Sequence, residues 1–220
     1  MSIHTADIIA ITSPQVKNLV TGGVLTPEEF IAYCARVSNP SNQNNHLTSE
    51  KLLKYCIKNK HWSIFEMVNV VMEINTTRDI GRQILRHRSF SFQEFSQRYA
   101  DPTKDLGFIG REARLQDLKN RQNSIEVDDN EIADQWLNVQ DKLVIEAKRA
   151  YEWAINSGIA KEQARSVLPE GLMATKMYMN GNLRSWIHYC ELRTTSGTQK
   201  EHRMVAESAL NKLKEHFQFL

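Results

Sequence analysis

Between Arg78 and Arg98 the chain carries five arginines, Arg78, Arg82, Arg86, Arg88 and Arg98, with Asp79 and Glu94 as the only acids. Guanidinium groups bind phosphate through paired N–H bonds, so a cluster with so few acids beside it is a candidate anion site. On a helix, Arg78, Arg82 and Arg86 stack at i, i+4 and i+8, where like charges repel unless anions lie against them. The residues that follow, Ser89 to Tyr99, alternate without a helical stripe and read as extended or loop. In an extended backbone Glu94, Ser96 and Arg98 project to one face. That trio suits a nucleotide: Arg grips phosphate, Ser adds a neutral hydrogen bond, and the carboxylate accepts from sugar hydroxyls or ring N–H groups.

The rest of the composition narrows the alternatives. Lys and Arg number 28 against 26 Asp and Glu, a formal charge of +2 over 220 residues, so the arginine cluster is a local exception on a balanced surface. Such a surface offers no continuous basic track for a nucleic acid, although Phe90, Phe92 and Phe95 beside the arginines would be the stacking platforms of such a reading. No apolar run reaches the roughly 18 residues of a membrane span, and the N-terminus lacks a secretory pattern, so a cytoplasmic protein is expected. Cys34, Cys56 and Cys190 are odd in number and far apart, which argues against disulfides and CxxC sites. Cys190 lies on an apolar helical stripe and reads as a small buried hydrophobe, not as a nucleophile. His188 and Glu191 share a helical face, but a lone pair is a weak metal signature, and none is expected. Phosphate loops, GxGxxG, HExxH and GxSxG are absent from the sequence.

The elements that must carry the cluster can be read from caps and periods. Thr26-Pro27-Glu28-Glu29 signals a capping box and a helix ending near Ser38 to Pro40. Leu52, Leu53, Cys56 and Ile57 mark a helix over 49–59. Val68, Val70, Met72 and Ile74 alternate as a strand within 65–75, after which Thr76 or Thr77 caps a helix to about Arg86. Residues 101–123 read as an irregular excursion with a short helix near Glu112 to Leu118. The longest helix is expected from Asp128 to Asn156, with Ile132, Trp136, Val139, Leu143, Ala147, Ala150 and Ala154 as its apolar stripe and Gly158 as its stop. A short helix over Lys161 to Val167 precedes Pro169. Met173, Thr175, Met177 and Met179 suggest a strand closed by an Asn180-Gly181 turn, and Asn182 caps the next helix. Thr198 and Glu201 suggest a second capping box. Several helices with a few non-adjacent strands make a single α+β domain over 1–220, a small antiparallel sheet packed by helices.

Arg86-His87-Arg88, then seven residues, then Ser96 resembles the RHRx7S signature of the flavin-dependent thymidylate synthases, the ThyX family. Four further blocks are similar in the right order. Ala35 to Ser38 resembles the ARVS element, and His61 to Glu66 the HxTPFEH stretch. Ala164 to Pro169 resembles ARxxLP, and Asn182 to Ser185 with Arg193 the NxRS...LR helix. Gln199 and Glu201 fit the AQxE that follows.

The resemblance implies conversion of dUMP to dTMP with methylenetetrahydrofolate as carbon donor, reduced FAD as hydride source and NADPH as reductant, and with no enzymic cysteine. It implies FAD contacts at Ser38, Ser63, Glu66, Arg86, His87, Arg88, Ser89, Asn182, Arg184 and His188. For dUMP it implies Gln83, Arg86, Glu94, Ser96, Gln97, Arg98, Arg165 and Arg193. Arg98 and Arg165 would take the phosphate. Arg193 would stand by the uracil O2 and N3 as the catalytic cation. A homotetramer with sites shared between chains is also implied. The sequence departs from the family pattern at Ser63-Ile64 for Thr-Pro, at Met67 for the second His, and at Gln97, where Gly is frequent.

Overall fold

A computed structural model describes residues 3–220. Its strands are β1 (Thr5–Ile11), β2 (Asn69–Thr77), β3 (Ser91–Glu94), β4 (Arg114–Gln116), β5 (Ser124–Glu126) and β6 (Ala174–Asn182). Its helices are α1 (Pro27–Ala35), α2 (Ser49–Lys58), α3 (Arg78–Ile84), α4 (Pro102–Asp105), α5 (Asn130–Asn156), α6 (Lys161–Ala164), α7 (Leu183–Arg193) and α8 (Lys200–His216). Single 3-10 turns cover 40–42, 46–48, 63–67 and 165–167.

The period-two patterns produce the sheet. Val70, Met72 and Ile74 of β2 and Thr175, Met177 and Met179 of β6 are all buried on one face. The two strands pair antiparallel from Asn69↔Asn182 to Thr77↔Ala174, and β1 and β3 flank them in the order β1-β2-β6-β3. Helices α1, α2, α7 and α8 cover the buried face, where Trp186 is fully enclosed and its indole N–H donates to the Val70 carbonyl at 3.0 Å. The other face is polar, with a Glu73–Lys176 ion pair at 3.1 Å and an exposed Tyr178. This is the α+β arrangement expected, and β1 adds an edge strand to it.

The caps decide the helix starts. Thr26 and Glu29 form the reciprocal box that opens α1. Asn182 accepts from Ser185 N at 2.9 Å and opens α7, whose Leu183, Trp186, Ile187 and Cys190 point into the core as their spacing requires. Thr77 adopts the extended N-cap backbone of α3, but its hydroxyl is committed to Asp79 and so caps no N–H.

Several expectations are corrected. Helix α1 ends at Ala35, because Arg36 turns back and donates to the Asn45 carbonyl and Thr48 hydroxyl. The strand begins at Asn69, after a 3-10 turn over 63–67. The segment near Glu112 to Leu118 is not a helix: it contains β4, paired with β5 as a hairpin. Thr198 and Glu201 make no capping box, since Thr198 donates to the Leu192 carbonyl at 3.4 Å and Glu201 is held by arginines. The α5 stripe is buried only in its second half, at Ala147 and Ala154, whereas Ile132, Trp136, Val139 and Leu143 are exposed. Phe90 is buried and Phe92 packs against the core, so these rings are not available as stacking platforms.

Asn180-Gly181 is not a turn but the last part of β6, opposite Val71 and Val70. The glycine answers a packing need. A Cβ at Gly181 would lie 2.4 Å from Phe90 Cδ1, so the phenyl ring sits where a side chain would be. Phe90 also meets Trp186 edge-on at 4.9 Å, which locks the residue that follows the arginine-rich turn onto the central strand. Gly181→Ala should lower the urea unfolding free energy by about 1–3 kcal/mol through overpacking. Adding Phe90→Leu should cost less than the sum of the two single changes, because the ring is the clashing partner.

Candidate functional site

The expected site residues fall into three neighbouring groups. The first surrounds the start of α3. Here Arg78 turns inward to 5% exposure, with Nη1 3.4 Å from Glu94 Oε1 and Nε 3.9 Å from Glu170. Arg82 reaches the same two carboxylates at 3.4 and 3.2 Å. Glu94, which also accepts from Thr175 Oγ1 at 2.9 Å, and Glu170 therefore answer the repulsion that the arginine spacing implied. Burial lowers the Arg78 pKa from its ordinary value, with Glu94 opposing, and its buried Nε and Nη1 make no hydrogen bond. A cleft of about 380 Å³ opens beside them, lined in part by Arg78, Arg82, Gln97, Arg165 and Glu170.

Ser96 and Arg98 stand next to this cleft, but not as expected. The chain leaves the sheet after Glu94, with a last bond from Phe95 N to the Lys176 carbonyl at 2.9 Å, and turns at Ser96. Glu94, Ser96 and Arg98 thus do not share one extended face. The Ser96 hydroxyl instead accepts from Arg98 N at 3.3 Å and shapes the turn. That turn brings Arg98 within 3.1 Å of Glu162, whose carbonyl accepts from Arg165 Nε at 3.3 Å. Arg98 and Arg165 are thereby neighbours, 67 positions apart in the chain. Gln97 is buried in this turn.

The second group lies where the C-terminal end of α7 meets the residues after α3. Because α3 ends at Ile84, Arg86 leaves the Arg78–Arg82 row and joins His87 and Arg88 in a turn. The His87 ring packs edge-on against Tyr189 at 4.9 Å, and its Nε2 accepts from Arg193 Nε at 3.0 Å. Burial, then the charges of Arg193 and Arg86, pushes the His87 pKa down to about 4, so the ring is neutral near pH 7. Arg86, Arg88 and Ser89 are exposed, and neither arginine makes an ion pair among the described residues. Gln83 donates from Nε2 to Gln199 Oε1 at 2.7 Å.

The third group surrounds the first turns of α7. Arg184 forms an ion pair with Glu66 of the 63–67 turn, and His188 meets Trp62 edge-on at 4.5 Å. Asn182 caps the helix, and Ser63 is exposed. Ser38 is exposed in the turn after α1, with no side-chain partner among the described residues. Arg184 and Arg193 lie nine residues apart on α7, about 14 Å along its axis.

Sequence reasoning missed the layer beneath. Arg111 Nη1 lies 2.9 Å from Glu201 Oε2, its Nη2 lies 2.6 Å from Asp79 Oδ1, and its Nε donates to the Gly171 carbonyl at 3.2 Å. Arg114 grips the other Glu201 oxygen. Burial pushes the Glu201 pKa upward, but the Arg114 hydrogen bond and the Arg111 charge outweigh it and hold it near 2. Gln140 of α5 closes the layer by exchanging two bonds with the Arg111 backbone, at 2.7 and 2.8 Å. Only Glu201 had a signal in the sequence, and it read equally well as a helix cap. Over this layer lies a larger cleft of about 950 Å³, between the β4–β5 hairpin and the exposed half of α5.

Cys190 is buried, and burial pushes its thiol up to about 12, which removes it as a nucleophile. Among the described residues no three His, Cys, Asp or Glu side chains are grouped so as to hold a metal ion.

Residues 23–217 match the family described as thymidylate synthase complementing protein. A probable flavin-dependent thymidylate synthase of Paramecium bursaria Chlorella virus 1 is 50% identical over 198 residues, covering 90% of this chain and 88% of the relative. A flavin-dependent thymidylate synthase of Synechocystis sp. is 50% identical over 210 residues, covering 95% and 94%. Among solved structures, the UMP/dUMP methylase PolB from Streptomyces cacaoi bound with 5-Br dUMP has the same fold, with a TM-score of 0.79 at 22% identity over 100% of this chain and 93% of that one. Because the match spans nearly all of the chain and includes the arginine-rich turn and helix α7 that form the groups above, the chain belongs to the flavin-dependent thymidylate synthase family.

Proposed function

We propose that this chain methylates dUMP to dTMP, with methylenetetrahydrofolate as carbon donor, reduced FAD as hydride source and NADPH as reductant. The observation that carries the reading is the Arg193 guanidinium held at the end of α7 by the neutral His87 of the Arg86-His87-Arg88 turn. A cation so fixed stabilises charge that develops on a pyrimidine ring without having to reorganise first. His87 can accept from Arg193 only while Nε2 is unprotonated, so the low pKa keeps the cation in place.

The remaining groups fit two anionic ligands. Arg98 and Arg165, with Gln97 and Ser96 in the turn that carries Arg98, suit the dUMP phosphate beside the smaller cleft, while Glu94, Gln83 and Arg86 suit the rest of the nucleotide. For FAD the test is whether donors remain unspent. Arg86 and Arg88 make no ion pair among the described residues, and Ser89, Ser63 and Ser38 present exposed hydroxyls. Glu66, Asn182, Arg184 and His188 complete the other end of the surface. When bound, reduced FAD supplies the hydride. The chain itself binds phosphates, orients the uracil and holds a positive charge beside it. Cys190, buried and protonated, takes no part.

We further propose that the sites are completed in a homotetramer. Two observations support association: the groups lie on open surface, and Ile132, Trp136, Val139 and Leu143 leave an apolar stripe exposed on α5. No helix of the described residues is long and apolar enough to cross a membrane. Three unpaired cysteines favour a cytoplasmic setting, and the interrupted charge gives no role to nucleic acid.

The purified protein should be yellow and should release tritium from dUMP labelled at C5 when given NADPH and methylenetetrahydrofolate; colourless protein that takes up no added FAD would overturn the reading. Arg193→Ala should lower turnover by at least about 100-fold while FAD absorbance is retained. Arg98→Ala and Ser96→Ala should both raise the KM for dUMP in the tritium-release assay, the arginine change more strongly because it removes a charge. Acid should weaken the fold through the buried histidines. Burial above all holds the folded pKa values of His87 and His202 at about 4 and about 3, below the ordinary histidine value of 6.5, so protons favour the unfolded chain. Their contribution is complete above about pH 6.5 and is lost as pH falls toward 4 and 3. Urea unfolding free energies measured from pH 7.5 to 4.5 should fall by about 1 kcal/mol per pH unit for each histidine, and His202→Phe should flatten that slope.

A further inference from the structure

His202 is fully buried on α8, one residue after the clamped Glu201, and takes part in none of the contacts assigned above. Its Nδ1 lies 3.3 Å from Gln83 Oε1. Its ring faces Tyr189 at 5.8 Å and His87 at 6.2 Å, and its Nε2 is buried with no hydrogen-bond partner. Gln83 donates to Gln199 Oε1, and Gln199 Nε2 donates to Glu201 Oε2 at 2.9 Å.

The direction of this chain of bonds is fixed from one end. The Glu201 carboxylate, ionised between Arg111 and Arg114, can only accept. Gln199 must therefore turn its NH2 toward Glu201 and its carbonyl toward Gln83. Gln83 must turn its NH2 toward Gln199 and its carbonyl toward His202. A carbonyl facing Nδ1 requires that Nδ1 carry the single proton of the neutral ring, leaving Nε2 as the unprotonated nitrogen. Were the Gln83 amide to flip, its carbonyl would face the Gln199 carbonyl and that bond would be lost, and the His202 bond would survive only if the ring proton moved to Nε2, where it would be buried without an acceptor.

We propose that His202 is a positioning residue of the pyrimidine site, holding the Gln83 amide so that its remaining N–H, and not its carbonyl, is what a ligand meets. The inference rests on the reading of Gln83 as a dUMP contact. An N–H at that point matches the carbonyl oxygens of uracil, which only accept. The second Nε2 hydrogen of Gln83 has no partner among the described residues, and so is available to a bound base.

Two measurements test this. Nitrogen NMR on the ligand-free protein should show His202 as the neutral Nδ1–H tautomer; an Nε2–H tautomer overturns the proposal whatever the enzyme does. Equilibrium binding of dUMP is then compared in the wild type, His202→Phe and His202→Asn, each loaded with FAD. The phenyl ring keeps the packing but removes the donor, and the Asn amide restores an N–H near the Nδ1 position. His202→Phe should weaken dUMP binding about tenfold, the scale of one oriented hydrogen bond, and His202→Asn should recover most of it with the flavin spectrum unchanged in all three. Unaltered dUMP affinity in His202→Phe, or equal weakening in both variants, overturns the positioning role. Failure of the wild type itself to bind dUMP would overturn the substrate reading together with the proposal.

Discussion

A carboxylate enclosed by protein must be matched by charge or lose its proton, and in this chain Glu201 is matched twice. Arg111 and Arg114 hold its two oxygens, and Arg111 spends its remaining N–H groups on Asp79, Thr77 and the Gly171 carbonyl. These contacts tie together the first turn of α8, the first turn of α3, the β4 strand and the loop before β6. Of these, α3 carries Gln83 and the segment before β6 carries Arg165. Removing either partner would strand a buried charge, so the network sets the relative position of pieces that share no regular secondary structure.

Above that foundation α7 acts as a straight spacer. Its start is fixed by Asn182 and its inner face by Trp186, Tyr189 and Cys190. Arg184 and His188 therefore appear at one end of the surface and Arg193 at the other, without depending on loops for their separation. The arginine-rich turn meets the far end of the helix through a single neutral imidazole. A positive charge is kept near other positive charges there by burying the group that would otherwise add one more.

Local chemistry made some of this legible in the sequence. The Thr26–Glu29 box, the Asn182 cap and the alternation of β2 and β6 are decided within a few residues, so the helix starts and the buried faces could be read directly. The RHRx7S spacing and the blocks around Arg165 and Arg193 pointed to residues that the fold does bring near one another. Long-range partners were not legible. Glu94 and Glu170 neutralise Arg78 and Arg82 from distant segments, and Arg111 and Arg114 lie in a polar stretch with no period to mark them. The Asn180-Gly181 pair carried a true signal with two physical meanings, since glycine is needed both for tight turns and where another group approaches the backbone. The exposed half of α5 shows the same limit: an apolar stripe states that a surface is to be covered, not by which chain.

The contact of Phe90 with Gly181 reaches further than its packing. Phe90 directly follows Ser89, so the turn bearing Arg86, His87 and Arg88 is strung between the end of α3 and a ring packed against Gly181 of the central strand. Any side chain at position 181 would push first on that ring and through it on the turn, well before the rest of the sheet yielded. In a mutational scan scored by activity, Gly181 would thus rank with the arginines of that turn although it lies on the strand beneath them, and a map of sensitive positions would spread beyond the turn itself.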